Sequence, residues 1–339
     1  MSITDNPVFT DAEKAREWLE RLLWPEGPVC PHCGLLAALW PEGPVCPHCG
    51  LVGCATALRG KTTRPGLWKC KGCEGHFTVT VGTLMERSHI PLNKWLLAFH
   101  LTAASKKGMS AHQLHRLLGL TYKSAWFMCH RIREAMRDGP ASKLGGQNKV
   151  VEVDETYVGG KETNKHKSKR EKGMQGGKGK EPVVALVERD GKVRSFHVPS
   201  VTGKTLKPML QAQIDQKSYL MTDESSVYLA IGDSFGGHGT VNHSIEEYVR
   251  GGFWHTNTVE NYFSIFKRGI IGVYHHVSQE HLKRYLAEFD FRYNARAAAG
   301  INDNERMAQA AKGVTGKRLT YRRTRGAEEA AQTGSAQAT

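Results

Sequence analysis

The spacing of apolar and polar positions divides the amino-terminal half of the chain into short helical and extended stretches. Residues 11–23 place Ala15, Trp18, Leu19, Leu22 and Leu23 on one helical side, which predicts an amphipathic lead-in helix within 11–26. Residues 75–83, GHFTVTVGT, alternate as a strand does, with Phe77, Val79 and Val81 on one face. From Pro91 the period turns helical: Leu92, Trp95, Leu96 and Phe99 recur at helical spacing, and proline suits a first turn. Gly108 and Ser110 open another helix that ends at Gly119, and Thr121 caps a third with Tyr122, Ala125, Trp126, Cys129, Ile132 and Met136 on its apolar face. The tight LGLT connection makes residues 89–140 a helix-turn-helix-like region, with Lys123, Arg131, Arg133 and Arg137 on its second helix.

A Gly-rich polar stretch, 139–149, reads as a linker into a second pattern. Val150, Val151 and Val153 predict a strand that delivers Asp154 and Glu155 and breaks at Gly159-Gly160. A hairpin follows, Val183–Glu188 and Val193–Val198, turning at Asp190-Gly191. Thr202 opens a helix with Leu206, Met209, Leu210 and Ile214 inside, and a short apolar run then ends in Asp223. On residues 253–271, Val259, Phe263, Phe266 and Ile270 form a buried face while Glu260, Ser264, Lys267 and Ile271 fall on another. Glu260 and Lys267 therefore point the same way, about two turns apart. Leu282, Tyr285, Leu286, Phe289 and Tyr293 align as core, and Tyr293, Asn294 and Arg296 are expected to brace that last helix. Residues 312–339 read as a basic run followed by a low-complexity, disordered tail.

Composition sharpens the class. A chain of 339 residues that is 40% hydrophobic has material for two or three domains with real cores. Lys and Arg number 47 against 33 Asp and Glu, a net charge of +14 that calls for a polyanionic partner. Nucleic acid suits this better than a membrane surface, because no apolar run approaches ~18 residues. The first residues are acidic and polar with no secretory pattern, so a cytoplasmic, nucleoid-associated location is expected. Residues 161–180 hold eight Lys or Arg and two Glu, a mobile basic loop suited to a phosphate backbone beside the acidic strand.

Seven of the eight cysteines lie between Cys30 and Cys73, which in a reducing compartment favours a metal site over disulfides. The segment LWPEGPVCPHCGL occurs at 23–35 and again at 39–51, a tandem duplication with a period of 16 residues. Cys46 and Cys49 of the second copy, with Cys70 and Cys73 after 20 intervening residues, make two CxxC knuckles able to close a tetrahedron on one structural zinc ion. Cys30 and Cys33 are the alternative first pair; lengthening the loop to 36 residues costs well under about 1 kcal/mol. The nearer pair is preferred, and one copy is expected to be redundant. Cys54 has no partner at ligand spacing and reads as a small buried thiol.

Carboxylates in a half-buried strand need a metal, a partner or water. Taken with CPHCG, WKCKGC, FTVTVGTLMERSHIPLNKW, SAWFMCHRIREAM, VDETYVGG, TDESSVY, HTNTVENYFSIFKRGIIGVYHHVS and YLAEFDFRYNAR, the chain over residues 11–310 resembles bacterial insertion-sequence transposases of the DDE type with an amino-terminal zinc ribbon, the ISXO-like group. The resemblance implies a multidomain α+β and α/β protein: a zinc ribbon at 27–88, the helix-turn-helix-like region, and a ribonuclease-H-like catalytic domain at 148–300. It places the family triad on Asp154, Asp223 and Glu260, separated by 69 and 37 positions. It implies double-stranded DNA as partner, at the element's ends and at the target, self-association in a synaptic complex, and cleavage followed by strand transfer. Two Mg²⁺ ions about 3.5–4 Å apart suit that chemistry, with Mn²⁺ able to substitute and Asp154 bridging the pair. Lys123, Arg131, Arg133, Lys267 and Arg268 are the expected DNA contacts, and His255 and Asn257 the accessory residues, with capping a second possibility for Asn257. His243 is a candidate site or core histidine. Glu155 faces away from Asp154 on the strand and is expected to be structural. The competing class is a zinc-ribbon DNA-binding regulator with an inert ribonuclease-H-like domain.

Overall fold

The computed structural model describes residues 5–30, 32, 55–137, 139, 142–160, 166–169, 179–241 and 255–320. The chain divides into two compact units: Met1–Leu96 with Gly119–Ala135 and Val314–Thr339, and Leu97–Leu118 with Met136–Gly313.

In the first unit Asp11 ends α1 (Pro7–Thr10) and caps α2 (Ala12–Leu23), accepting from the backbone N–H groups of Glu13 and Lys14. Ala15 and Leu19 of the predicted apolar side are wholly buried. Three short antiparallel strands follow: β1 (Ala55–Ala57), β2 (Trp68–Cys70) and β3 (His76–Phe77). Trp24 packs edge-on against Trp68 and Phe77. The strand predicted over 75–83 stops at Phe77, because the chain then coils through successive turns, Val81 N–H to Thr78 O at 3.0 Å and Thr83 N–H to Thr80 O at 3.2 Å. The Thr83 hydroxyl also donates to Thr80 O at 2.7 Å, the local bonding by which threonine competes with a ladder. Val79 is buried all the same, so the apolar spacing identified core positions within a turn. Trp95, Leu96 and Phe99 of α3 (Leu92–Ala104) are buried as their spacing predicts. α5 (Tyr122–Ala135) buries Ala125, Cys129 and Ile132, whereas Tyr122, expected on the same face, is 44% exposed. At its carboxyl end the Lys317 ammonium donates to the carbonyls of Glu134 and Ala135, so this member of the basic tail caps a helix.

The second unit contains α4 (Ala111–Leu118) and a five-stranded sheet in the order β6-β5-β4-β7-β8. β4 (Val150–Val158), β5 (Glu181–Glu188) and β6 (Val193–His197) form an antiparallel meander, while β7 (Tyr219–Asp223) and β8 (Gly237–Val241) run parallel to β4. Asp190, with φ of 57°, makes the predicted hairpin turn. Val183 to Val187 are all fully buried, as expected of a strand covered on both faces. One face packs on α6 (Gly203–Gln213) and α7 (Ser226–Gly232) through Val151, Val153, Leu206, Leu210 and Tyr228. The other packs on α8 (Asn257–Gly269) and α9 (Gln279–Asn294) through Val183, Ala185, Val259, Phe263, Phe266 and Phe289.

Two features organise the rim. The outer edge of β6 is closed by α9: the Asn294 amide pairs with both Val193 N–H (2.7 Å) and Val193 O (3.0 Å), and Asp290 accepts from Ser195 N–H (2.8 Å). An edge covered in this way is protected from pairing with another chain. The stretch read as a linker is partly built into the domain, since Leu144 is 2% exposed and exchanges backbone bonds with Gln213 O and Asp215 N–H, both at 2.8 Å. The chain continues into α10 (Asp303–Lys312), which opens with a capping box of Asn302 and Glu305. The final residues from 321, His243 and most of the basic loop 161–180 lie outside the described residues.

Candidate active site and metal-binding cysteines

Asp154 lies in the middle of β4 and Asp223 at the carboxyl end of the neighbouring parallel strand β7. Glu152 pairs with Met221, so the same register carried two residues further sets Asp154 beside Asp223, both on one parity of their strands. Glu260 comes from the first turn of α8, which packs on that face. Burial and then the charges of Glu155, Asp223 and Glu260 push the Asp154 carboxyl up to about 7, against the Glu155 N–H bonded to its Oδ1 at 2.7 Å. The structure thus brings the three predicted carboxylates into one electrostatic neighbourhood. Asp223 Oδ1 accepts from Ser225 N–H at 3.1 Å, and Glu260 Oε1 from the Thr256 hydroxyl at 3.1 Å. Glu155 points to the opposite face, where the Tyr228 hydroxyl donates to it at 2.5 Å.

Along α8 and the π-helical turn that follows it (Ile270–Tyr274) the predicted division of faces is present: Val259, Phe263, Phe266 and Ile270 are buried, and Glu260, Ser264, Lys267 and Ile271 are exposed. Arg268 is exposed too, with its guanidinium on Ser264 Oγ at 2.7 Å. Lys123 is exposed on α5, and the Arg131 guanidinium lies 4.6 Å from the centre of the Phe127 ring, where burial lowers its pKa. Arg133 requires correction as a DNA contact. It is 2% exposed, because its place one residue after Ile132 and four after Cys129 turns it into the helix's packed side. Asn257 is exposed in the first turn of α8, and the N-cap position falls on Thr256 instead.

Sequence reasoning passed over Glu152 and Arg189. Glu152 is fully buried two residues before Asp154; it accepts from Arg189 Nε and from the first turn of α8, and His255 Nδ1 stands 3.3 Å from it. The available signal was the period-two spacing from Asp154, which puts a second acid on the same strand face.

The cysteines form a separate centre. The Sγ atoms of Cys30, Cys70 and Cys73 lie within 4.8 Å of one another, with Cys30 and Cys73 at 3.6 Å. Tetrahedral zinc with bonds of about 2.3 Å sets sulfurs roughly 3.7–3.8 Å apart, so the cluster has the spacing of a zinc site and is far too open for a disulfide at about 2.05 Å. Among the described residues it is the first-copy cysteine that joins the second knuckle; Cys33, Cys46, Cys49 and Cys54 lie outside them. Crowding explains the glycine beside it: a Cβ on Gly75 would stand 3.3 Å from Cys73 Sγ and 3.0 Å from the His32 ring.

No described helix is long and apolar enough to cross a membrane. Residues 143–294 match the ISXO2-like transposase domain, a span that begins at the docked Leu144 stretch and ends with α9. Residues 35–76 match the transposase zinc-ribbon domain, a register that takes in the second knuckle copy, while Cys30 of the first is the one that stands with Cys70 and Cys73 among the described residues; the two copies being identical, a sequence match can fall on either. The chain is also 29% identical over 297 residues to an uncharacterized protein in transposable element ISH50 of Halobacterium salinarum, covering 84% of this chain and 92% of that protein. The chain thus carries, in order, a match to a transposase zinc ribbon and a match to an ISXO2-like transposase domain, the domain pair of the insertion-sequence transposases that it resembles.

Proposed function

We propose that this transposase binds the terminal inverted repeats of its element and cuts and joins DNA at Asp154, Asp223 and Glu260, which hold divalent magnesium. The observation that carries the reading is the convergence of these three acids from β4, β7 and α8 in a chain of net charge +14. A central strand bearing one acid, flanked by a parallel strand ending in another, in the strand order β6-β5-β4-β7-β8, agrees with a ribonuclease-H-like domain.

The donor set suits a hard cation, because every candidate ligand is a carboxylate oxygen. Burial and three neighbouring acids disfavour ionised Asp154, a penalty that a divalent cation offsets. When bound, such ions supply an acidified water and charge stabilisation for the leaving 3′-oxygen. The protein's part is orientation: the Glu155 N–H, the Ser225 N–H and the Thr256 hydroxyl each hold one oxygen of Asp154, Asp223 and Glu260 respectively. Lys267, about two turns along the exposed face from Glu260, is set to bind a phosphate, with Arg268 beside it, and in the other unit Lys123 and Arg131 of α5 offer DNA contacts of their own. The helix-turn-helix-like α4 and α5 and the ribbon recognise the element's ends, and two copies act together in a synaptic complex. In the ribbon, Cys30, Cys70 and Cys73 hold one zinc ion, with Cys33, the CxxC partner of Cys30, as fourth ligand in place of Cys46 and Cys49.

Asp154→Asn, Asp223→Asn and Glu260→Gln are each expected to abolish Mg²⁺-dependent cleavage of DNA carrying the element's ends while end binding persists in a mobility-shift assay. Full cleavage by any one of them overturns the assignment. Joined strand-transfer products separate transposition from simple nuclease action.

A further inference from the structure

Glu152 and Asp154 project from the same face of β4, yet they are engaged differently. Glu152 accepts from Arg189 Nε (2.6 Å), Thr258 Oγ1 (2.8 Å), Thr258 N–H (2.8 Å) and Val259 N–H (3.0 Å). An ionised carboxylate offers about four acceptor positions, and protein donors take up that number here. Thr258 and Val259 belong to the first turn of α8, where backbone N–H groups have no partner within the helix. Thr256, at the N-cap position, makes no side-chain cap bond. A carboxylate from the strand therefore caps the helix, and its charge opposes the positive end of the helix dipole. Arg189 completes the connection, since its Nη2 donates to His255 O at 2.8 Å, just ahead of α8. Glu260 is the residue after Val259, and its own N–H bonds Thr256 O at 3.1 Å.

We propose that Glu152 and Arg189 clamp the start of α8 to β4 and so fix the position of Glu260 relative to Asp154, acting as positioning residues for the metal centre and not as its ligands. This rests on the proposed metal-holding role of Asp154, Asp223 and Glu260. Glu152→Gln keeps the side-chain shape but turns an amide NH₂ towards donors that need an acceptor, and Arg189→Lys loses the fork that reaches both Glu152 and His255 O.

The test is Mn²⁺ binding to the full-length, zinc-loaded protein, read as free Mn²⁺ by electron paramagnetic resonance, alongside thermal unfolding without Mn²⁺. Outer-sphere changes of this kind cost about 10- to 100-fold in metal affinity, and both variants are expected in that range. Arg189→Lys keeps the test decisive where Glu152→Gln fails to fold. Leu206→Ala, in the core on the opposite sheet face, should lower thermal stability and leave Mn²⁺ affinity unchanged. The clamp is refuted by unchanged Mn²⁺ affinity in the clamp variants while Glu260→Gln weakens it, or by equal weakening in Leu206→Ala. Unchanged affinity in Glu260→Gln overturns the underlying triad reading instead.

Discussion

Asp154→Asn, proposed above to abolish cleavage, should stabilise the protein when Mg²⁺ is absent. Burial and acidic neighbours raise the folded-state carboxyl from 3.8 to about 7, so the folded chain holds a proton that the unfolded chain has released. The sign follows from that difference: below 3.8 the residue carries no ionisation penalty, between 3.8 and about 7 stability falls as pH rises, and above about 7 the loss is complete. Over that window of about three pH units the linkage amounts to about 2 kcal/mol at pH 5.5 and about 4 kcal/mol at pH 8. Asn in the same place retains an acceptor for the Glu155 N–H and has no charge to desolvate. Urea unfolding of the zinc-loaded protein, without added Mg²⁺, should therefore show the variant more stable than the wild type, by a margin that widens by about 2 kcal/mol from pH 5.5 to pH 8. Added Mg²⁺ should narrow the margin by stabilising the wild type alone. A margin independent of pH, or a variant less stable at both values, would refute a desolvated, acid-crowded Asp154.

Other positions give independent checks. Cys30→Ser should lower zinc content measured by metal analysis and weaken end binding, whereas Cys46→Ser should leave both near wild type; loss of zinc in Cys46→Ser alone would return the site to the second copy. Asn294→Ala leaves both backbone groups of Val193 unpaired at the sheet edge, and denaturant unfolding should register a loss of about 1–3 kcal/mol. Gly269→Ala sets a Cβ against the Phe289 ring and 2.7 Å from Lys107 O, a crowding that should cost about 1–3 kcal/mol in the same measurement.

What the sequence discloses follows from how local each determinant is. The faces of α8, the Asp190 turn and the runs ending in Asp154 and Asp223 are set by residues within a few positions of one another, and periodicity finds them. The apolar positions of 75–83 were legible as core but not as turn, because burial at alternate residues does not record where the backbone bonds go. Two identical knuckles carry no local difference at all, so only the tertiary arrangement can distinguish them; among the described residues it is Cys30 that stands with Cys70 and Cys73. Glu152 is the sharpest case. Its spacing from Asp154 is visible, but its role is defined by donors 37 and 106 residues away, on Arg189 and Thr258. An acid beside a triad acid invites reading as another ligand; only the direction of those donors shows its oxygens already engaged. The strand therefore carries two acids in different settings, Asp154 with the proposed metal-holding role and Glu152 bonded to the start of the helix that carries Glu260, and the bonds of Glu152 link the packing of α8 to the chemistry proposed at Asp154.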